Sequence, residues 1–567
     1  MTALAHLRAT LDMLVVDWLG VDEDRDIVQG LLDLAEGIAA DHFLPHYKLT
    51  DAQEPRLEAD GVHVHPAIAP ALRHYADAGL FAAGFAPDLG GTGLSALLGS
   101  AGFALFAAAN IATAAYPMLT AANARLIATF GSAEQIDVFA RPQIAGAWFG
   151  TMCLSEPQAG SSLADIRTRA TPDGEDALGA RYRLAGNKMW ISGGDQDVSD
   201  NIVHLVLAKI PGPDGALPEG TAGISLFIVP KRLPDGTRND VVVAGLNHKM
   251  GYRGIPNCLL NLGEEDGAVG WRVGAPGQGL RQMFQMMNEA RIGVATGAAA
   301  LAMRGYALSL DYARDRTQGR EVGVRGGPPA AIIAHADVRH MLLQQKVYAE
   351  GALALCLYCA ALVDAEEEAL LGLLTPVAKT WASEFGLAAN DLAIQIHGGY
   401  GYTRDFDVEQ LWRDNRLNPI HEGTTGIQAI DLIGRKLLRS DDDAYAMLRA
   451  RIDATVAAAQ DDVDQCVPAR AVADAWTRID ATLARLRDHP RAAHDNATAF
   501  LRAFGHATVG WLWLDIARAS AGDDAAAAGR RHAARYFAAH ELPRVAAWLA
   551  PVDARDALAA EMPDHGF

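Results

Sequence analysis

A carboxylate set in a break between two helices is the first feature of this sequence that chemistry can use. Within IQIHGGYGYTRDFDVEQLWRDNRLNPIHEGTTGIQAIDL (394–432), Gly398-Gly399 interrupt one helix, and Glu422-Gly423-Thr424-Thr425 fill a second interruption. A Glu placed there, inside an otherwise apolar bundle, loses water. Desolvation raises a carboxyl from the ordinary ~4.3 toward the ~6–7 that suits proton abstraction. A solvated loop carboxylate is the competing reading, and this segment alone leaves both open. A second candidate is GNKMWISGG (186–194), where Trp190 stands two residues before Ser192 and a glycine pair. It offers an aromatic wall beside a polar handle, with an ordinary core Trp as the alternative. The third is MCLSEPQAGSS (152–162), a strand that ends at Glu156-Pro157 and passes into small residues. Such a turn lets backbone N–H groups approach a ligand, although an ordinary turn reads the same way.

These segments need elements to hold them, and the texture of the chain divides it into four. Residues 1–149 read as an N-terminal helical domain, with Ile27, Leu31, Leu32, Leu34 and Ile38 at helical spacing and a capping box from Ser132 to Gln135. The glycine-rich APDLGGTGLS (86–95) follows no strand, so it fails as a dinucleotide fingerprint. Residues 150–273 carry short β-rich runs separated by Gly, Pro, Asn and Asp, with no helix long enough for βαβ crossovers. That pattern predicts an antiparallel barrel or sandwich. Residues 274–440 return to long helices and predict a four-helix-type bundle carrying the Glu422 break. Residues 441–567 are Ala-rich and helical, an extension without evident chemistry. The expected fold class is α+β and multidomain, a β island between helical blocks.

Composition removes several function classes. The 49 basic and 69 acidic side chains leave a formal charge of −20 across 567 residues, and no Lys/Arg-rich run offsets it. Phosphate backbones would repel such a chain, so nucleic acid is not an expected partner. Cys356 and Cys359 form a CxxC, but inside the apolar, helix-like GALALCLYCAALV, with no second pair and no His nearby. Packed core thiols are expected there, and no metal. The N-terminal residues lack a basic segment followed by an apolar run and a small-residue cleavage site. No window of ~20 apolar residues stands out, so no membrane span is expected and the reading is cytoplasmic.

Together the three segments resemble the acyl-CoA dehydrogenase family, over about residues 30–437 and in the family's α–β–α order. MCLSEPQAGSS looks like the first family signature, GNKMWISGG like the flavin-facing strand, and QIHGGYGYTRD followed by IHEGTTGIQ like the second signature. YARDRTQGR (312–320) is similar to the family's inter-subunit cofactor segment. The added length, the wording EGTTGIQAIDL and the helical extension point to the longer branch, typified by 3-methylmercaptopropionyl-CoA dehydrogenase.

The resemblance implies FAD as cofactor and an acyl-CoA as substrate, dehydrogenated to a trans-2-enoyl-CoA as in fatty-acid β-oxidation. It makes Glu422 the base for the α-proton, while the β-hydrogen leaves as hydride to flavin N5. It puts Leu154 and Ser155 at the pyrimidine side of the ring, and Trp190 and Ser192 against the flavin. Arg316 and Gln318 would come from the partner subunit toward the pyrophosphate, with Gln395, Gly398 and Gly399 near the ADP half, and Thr424 in the same group. Ser161 and Arg291 match positions along the CoA thioester arm, and His421 and Gly423 border the acyl slot. Relatives that keep their base on an earlier helix hold it where this chain has Ala290, and Glu289 points about 100° away. His421 replaces the usual Tyr, Ser162 the usual Asp, RTQGR lacks the common Phe, and Gly426 stands where relatives carry Gln or Glu. An electron-transfer flavoprotein is the implied acceptor, and a homodimer or homotetramer the implied assembly. An acyl-CoA oxidase using O₂ and a non-dehydrogenating DNA-binding flavoprotein are the alternatives within the resemblance.

Overall fold

Strand-forming residues dominate between Trp148 and Val273, and there the chain builds one eight-stranded sheet. The computed structural model describes residues 2–439, 443–520 and 522–567, so the expected boundary at 440/441 lies outside the described residues. Its fold is helix-rich with this sheet at the middle of the element order, and the sheet strands are β3 (Trp148–Cys153), β4 (Arg169–Asp176), β5 (Gly179–Ser192), β6 (Asn201–Lys209), β7 (Ile224–Pro230), β8 (Val241–Leu246), β9 (Asn257–Leu262) and β10 (Ala268–Val273). The pairing order is β10-β7-β6-β4-β5-β9-β8, and β10 also pairs with β5, which turns the sheet back on itself. Most pairs are antiparallel, but β3 lies parallel to β6, as does the single β4–β6 contact. The sequence concealed this exception, because after β3 the chain wanders through the 154–168 loop and the β4–β5 hairpin before β6 returns.

Strands β6 and β7 are buried along their whole length, which is why NIVHLVLAK and ISLFIVP read as continuous apolar runs. Their alternate residues supply two cores. Val203, Leu205, Leu207, Leu226 and Ile228 pack with helical Ala124, Leu126, Ile127, Phe139 and Ile144. Val206, Ala208, Phe227 and Val229 pack with Cys153, Leu184 and Leu260.

The chain divides into two compact units: Met1–Asp33 with Ala96–Ala108 and Val294–Phe567, and Leu34–Ser95 with Ala109–Gly293. The second unit holds the sheet. It also holds a hairpin, β1 (Arg56–Glu58) against β2 (Gly61–His63), inside a region expected to be helical throughout. RLE and GVH flank a two-residue turn, a period-2 signal too short to stand out among helices. The expected capping box is present, with Gln135 N–H on Ser132 Oγ and Ser132 N–H on Gln135 Oε1, both at 3.2 Å.

In the first unit the long helices are Ala336–Asp364 and Glu368–His397, joined by three residues and packed on each other. The extension adds Ala444–Ala459, Cys466–Leu486, Ala497–Ala519, Ala525–Tyr536 and Pro543–Asp553. Trp381 Nε1 donates to His506 Nδ1 at 3.0 Å, so the other ring nitrogen carries the proton and donates to Glu541 Oε2 at 3.2 Å. Tyr348 donates its hydroxyl to the same oxygen at 2.8 Å. This buried network joins bundle to extension. Cys356 and Cys359 are fully buried free thiols, as expected, and burial pushes Cys356 up to about 12.

Two helices, Ala96–Phe130 and Ala336–Asp364, prove long and apolar enough to cross a membrane by length and composition, which corrects the expectation of no such window. In each, 78% of the apolar window is buried within the protein, the condition of a core helix.

Helix contact across the bundle generates a stability prediction. A Cβ at Gly505 would lie 2.9 Å from Trp381 and 3.4 Å from Val377, whereas one at Gly529 would meet nothing within 4 Å. Helical Gly→Ala ordinarily gains up to about 1 kcal/mol. Thermal melting should show that gain for Gly529→Ala, while Gly505→Ala should lose about 1–2 kcal/mol through overpacking.

Candidate functional site

The expected site residues divide between the two units. In the sheet unit, Leu154 and Ser155 run beside Lys188–Trp190. Lys188 Nζ donates to Leu154 O at 3.0 Å, and Met189 N–H donates to Ser155 O at 3.0 Å. The β5–β9 register slips between Lys188 and Ile191, and Trp190 occupies this bulge with φ 67. Its indole is turned out of the sheet and is 61% exposed, unlike the buried Trp381, Trp476 and Trp513. The core-Trp reading therefore fails. Ser192 follows on the same strand opposite Asn257, half-buried. Ser161 and Ser162 lie exposed in the turn after Glu156.

Glu156 explains why that turn is fixed. Its carboxylate accepts Arg167 N–H at 2.7 Å, Thr168 N–H at 3.0 Å, Thr168 Oγ1 at 2.6 Å and Lys188 Nζ at 3.0 Å. Burial alone would raise this carboxyl, but the Lys188 charge and these donors outweigh it and hold Glu156 down at about 2. Burial in turn lowers Lys188 from the ordinary lysine range.

On the next helix, Gly279–Asp315, Ala290 and Arg291 are buried, and Arg291 Nη1 donates to Asn288 Oδ1 at 3.3 Å. Glu289 is paired with Arg125 at 2.9 Å, and burial raises its pKa despite that partner.

In the helical unit, Glu368–His397 ends at Gly398 with φ 62, as the glycine pair predicts. Gln395, Gly398, Gly399 and Tyr400 form an exposed turn, and a Cβ at either glycine would meet nothing within 4 Å. Arg316 lies over the Tyr400 ring at 5.9 Å and donates to Gln318 Oε1 at 3.3 Å, so both expected residues share this exposed surface. Some 20 residues further on, His421, Glu422, Gly423 and Thr424 form a half-buried loop ahead of the helix Thr425–Ile430.

Glu422 has φ 53, a left-handed conformation unusual for a residue with a side chain. Gln428 Nε2 donates to Glu422 O at 3.0 Å, and fully buried Lys379 donates to Gly423 O at 2.7 Å. Gly423 itself has φ 89, and a Cβ there would stand 2.5 Å from Gln428 Nε2. The loop is thus pinned from two helices. Lys379, Gln428, Glu156 and Lys188 escaped the sequence reading as site-forming residues, although a Lys inside the apolar TPVAKTWASEF was a usable signal.

No metal was expected. Glu58, Asp60 and His63 do bring ligand atoms within 4.8 Å of one another. Asp60 at 2.9 Å and Asp197 at 2.8 Å face the two ring nitrogens of His63 and hold the imidazole up at about 9, which is an ion-pair arrangement.

Comparison with known proteins agrees with this architecture. The chain matches the acyl-CoA dehydrogenase middle domain over residues 151–264, the acyl-CoA dehydrogenase C-terminal domain over 277–438, and the acetyl-CoA dehydrogenase C-terminal-like domain over 448–563. It is 35% identical to 3-methylmercaptopropionyl-CoA dehydrogenase of Ruegeria pomeroyi, covering 82% of this chain and 81% of that protein. Its fold is shared with Caenorhabditis elegans ACDH-11 in complex with C11-CoA, at TM-score 0.82 and 21% identity over 98% of this chain and 94% of that one. It is also shared with a Bacillus anthracis acyl-CoA dehydrogenase complexed with FAD, at TM-score 0.77 and 20% identity over 96% and 90%. The chain belongs to the acyl-CoA dehydrogenase family.

Removing the Glu156 charge would strand Lys188 in the core. Glu156→Gln should lower the unfolding free energy at pH 7 by about 3–5 kcal/mol. The sign with pH follows from the depressed folded value: the wild-type advantage is complete above the unfolded carboxyl near 4.5 and fades as pH falls toward about 2. Melting curves of both proteins across that range should converge on the acid side.

Proposed function

We propose that this chain is an FAD-dependent oxidoreductase that dehydrogenates an acyl-CoA thioester to its trans-2-enoyl-CoA, with Glu422 as the base. The donor set suits FAD. In the sheet unit, an exposed indole at Trp190 offers a flat apolar wall and Ser155 and Ser192 offer polar groups, while the exposed guanidinium of Arg316, suited to phosphate, would serve the FAD of a partner subunit. The open Gly398–Gly399 surface, with Gln395, Gln318 and Thr424, would take the ADP half. When bound, FAD supplies the hydride acceptor.

A C–H beside a thioester carbonyl is a weak acid, so its base must be close, oriented and poorly hydrated. The observation that carries the proposal is the Glu422 backbone, left-handed and anchored through the carbonyls of Glu422 and Gly423 by Gln428 and Lys379. The side chain leaves a braced turn inside a helical bundle, and a carboxylate oxygen of Glu422 takes the α-proton. Strained backbone of this kind persists where surrounding structure enforces it, commonly at functional positions. The Glu289 alternative is engaged by Arg125, which speaks for Glu422. Arg291 and Ser161 serve the CoA arm, while His421 and Gly423 shape the acyl slot.

The substrate reading is a short- or medium-chain acyl-CoA or 3-methylmercaptopropionyl-CoA, in keeping with the Ruegeria pomeroyi relative. The accompanying readings are an electron-transfer flavoprotein as acceptor, a homodimer or homotetramer, and a cytoplasmic location.

Anaerobic mixing with acyl-CoAs of graded length, followed by flavin absorbance, tests this directly. The wild-type flavin should bleach with a chain-length optimum. Glu422→Gln should retain flavin and bind the same acyl-CoA, yet reduce about 10²–10⁴-fold more slowly. Reduction of that variant at the wild-type rate would remove Glu422 from the mechanism.

A further inference from the structure

The extension reaches the loop that carries Glu422. Its helix Ala497–Ala519 packs against the short helix Thr425–Ile430, whose first residue closes the loop by donating Thr425 N–H to Pro419 O at 3.3 Å. Arg502, on the extension helix, donates through Nε to Glu384 Oε2 at 2.8 Å and through Nη2 to Glu384 Oε1 at 3.1 Å. Glu384 lies on Glu368–His397, the helix that also carries Lys379. Its Oε1 in turn accepts the Thr425 hydroxyl at 3.1 Å. A continuous chain of hydrogen bonds therefore runs from the extension, through one carboxylate, to the end of the catalytic loop.

We infer that Arg502 is a positioning residue for the dehydrogenation, holding the Glu422 loop in place through Glu384 and Thr425. The inference rests on the proposed role of Glu422. A two-point guanidinium fork fixes the plane of a carboxylate, which a single donor does not. With the plane fixed, Oε1 stays aimed at Thr425, and the loop between Pro419 and Thr425 keeps the span that forces Glu422 into its left-handed turn. Two further ties, from Lys379 and Gln428, hold the middle of the loop. Arg502 acts on its far end. The Arg502 side chain is 41% exposed and that of Glu384 19%, so the pair contributes little to folding. Its loss should therefore be read in rate, because displacement of a reacting group by about 1 Å is costly even where stability is unchanged.

The test uses flavin-loaded full-length protein and the acyl-CoA that reduces the wild type fastest. Arg502→Met should slow the limiting rate of anaerobic reduction about 10-fold or more, while acyl-CoA affinity changes by less than about threefold. Thr425→Val should do the same, and the double variant should lose no more than either alone, since both break one chain. Arg502→Lys should recover part of the rate. Arg485→Met, which breaks an ion pair with Asp553 between two extension helices, should leave the rate unchanged. Flavin content and melting temperature should stay near wild type throughout. An unchanged rate per bound flavin in Arg502→Met, additive losses in the double variant, or a loss that merely follows flavin release would each overturn the inference. Should no acyl-CoA reduce the wild type, the proposed function falls and this inference with it. Should Glu422→Gln lose reduction while Arg502→Met matches the wild type, only the positioning role fails.

Discussion

The backbone at Glu422 has to be left-handed, and a residue with a β-carbon holds that conformation only under constraint. The interruption of the helix that allows the turn also leaves carbonyls without helical partners. Those carbonyls become acceptors for Lys379 and Gln428, and the buried Lys379 in turn needs an acceptor within the bundle. Each group thus supplies what the other lacks. Gly423 completes the arrangement because any side chain there would collide with Gln428. A loop usually moves more than the elements that flank it, but this one is bonded to two helices along its length.

The sheet unit solves a similar problem with similar means. A fully buried lysine, Lys188, reaches the carbonyl of Leu154, on a segment proposed to face the cofactor. There the ammonium is further balanced by Glu156, whose oxygens also collect the amides of residues 167 and 168. In both units a charged side chain enters the apolar interior and spends its hydrogen bonds on backbone next to the proposed chemistry. Buried charges are costly unless so satisfied, and the reward is geometry more than stability. Glu422 and Trp190 share the outcome, each a bulky residue with positive φ on a braced segment.

Much of this was legible in the residues. Periods of 2 and 3.6 located the sheet and the helices, and the Gly398-Gly399 pair and the Glu422-Gly423-Thr424-Thr425 run marked the two breaks. The motif order led to the family. What escaped depends on pairing between residues far apart in sequence. Lys379 meets Gly423 across 44 positions and Arg502 meets Glu384 across 118, and neither contact leaves a periodic trace. The parallel β3–β6 pair was hidden in the same way, by a long excursion, whereas the local β1–β2 hairpin was hidden by its brevity. The apolar helix Ala96–Phe130 shows the limit of hydropathy. Its buried Asn123 bonds Thr151 O at 2.8 Å and Val203 O at 2.9 Å, tying it into the sheet core.

The extension looked least informative in sequence, and its texture now has an explanation. Ala497–Ala519 is buried over most of its residues, on all sides, which is the condition of a core helix. Its Gly505 lets it approach Trp381, and His506 accepts the Trp381 indole N–H while reaching Glu541. Without this helix, Trp381 and its neighbours on Glu368–His397 would face water, and Glu384 would lose Arg502. Small Ala and Gly residues are what allow helices to pack this closely, so the Ala-rich composition reflects packing demand. Bundle and extension therefore share one interior, and the same contacts that give the extension its stability bring it to the helix on which the proposed base depends.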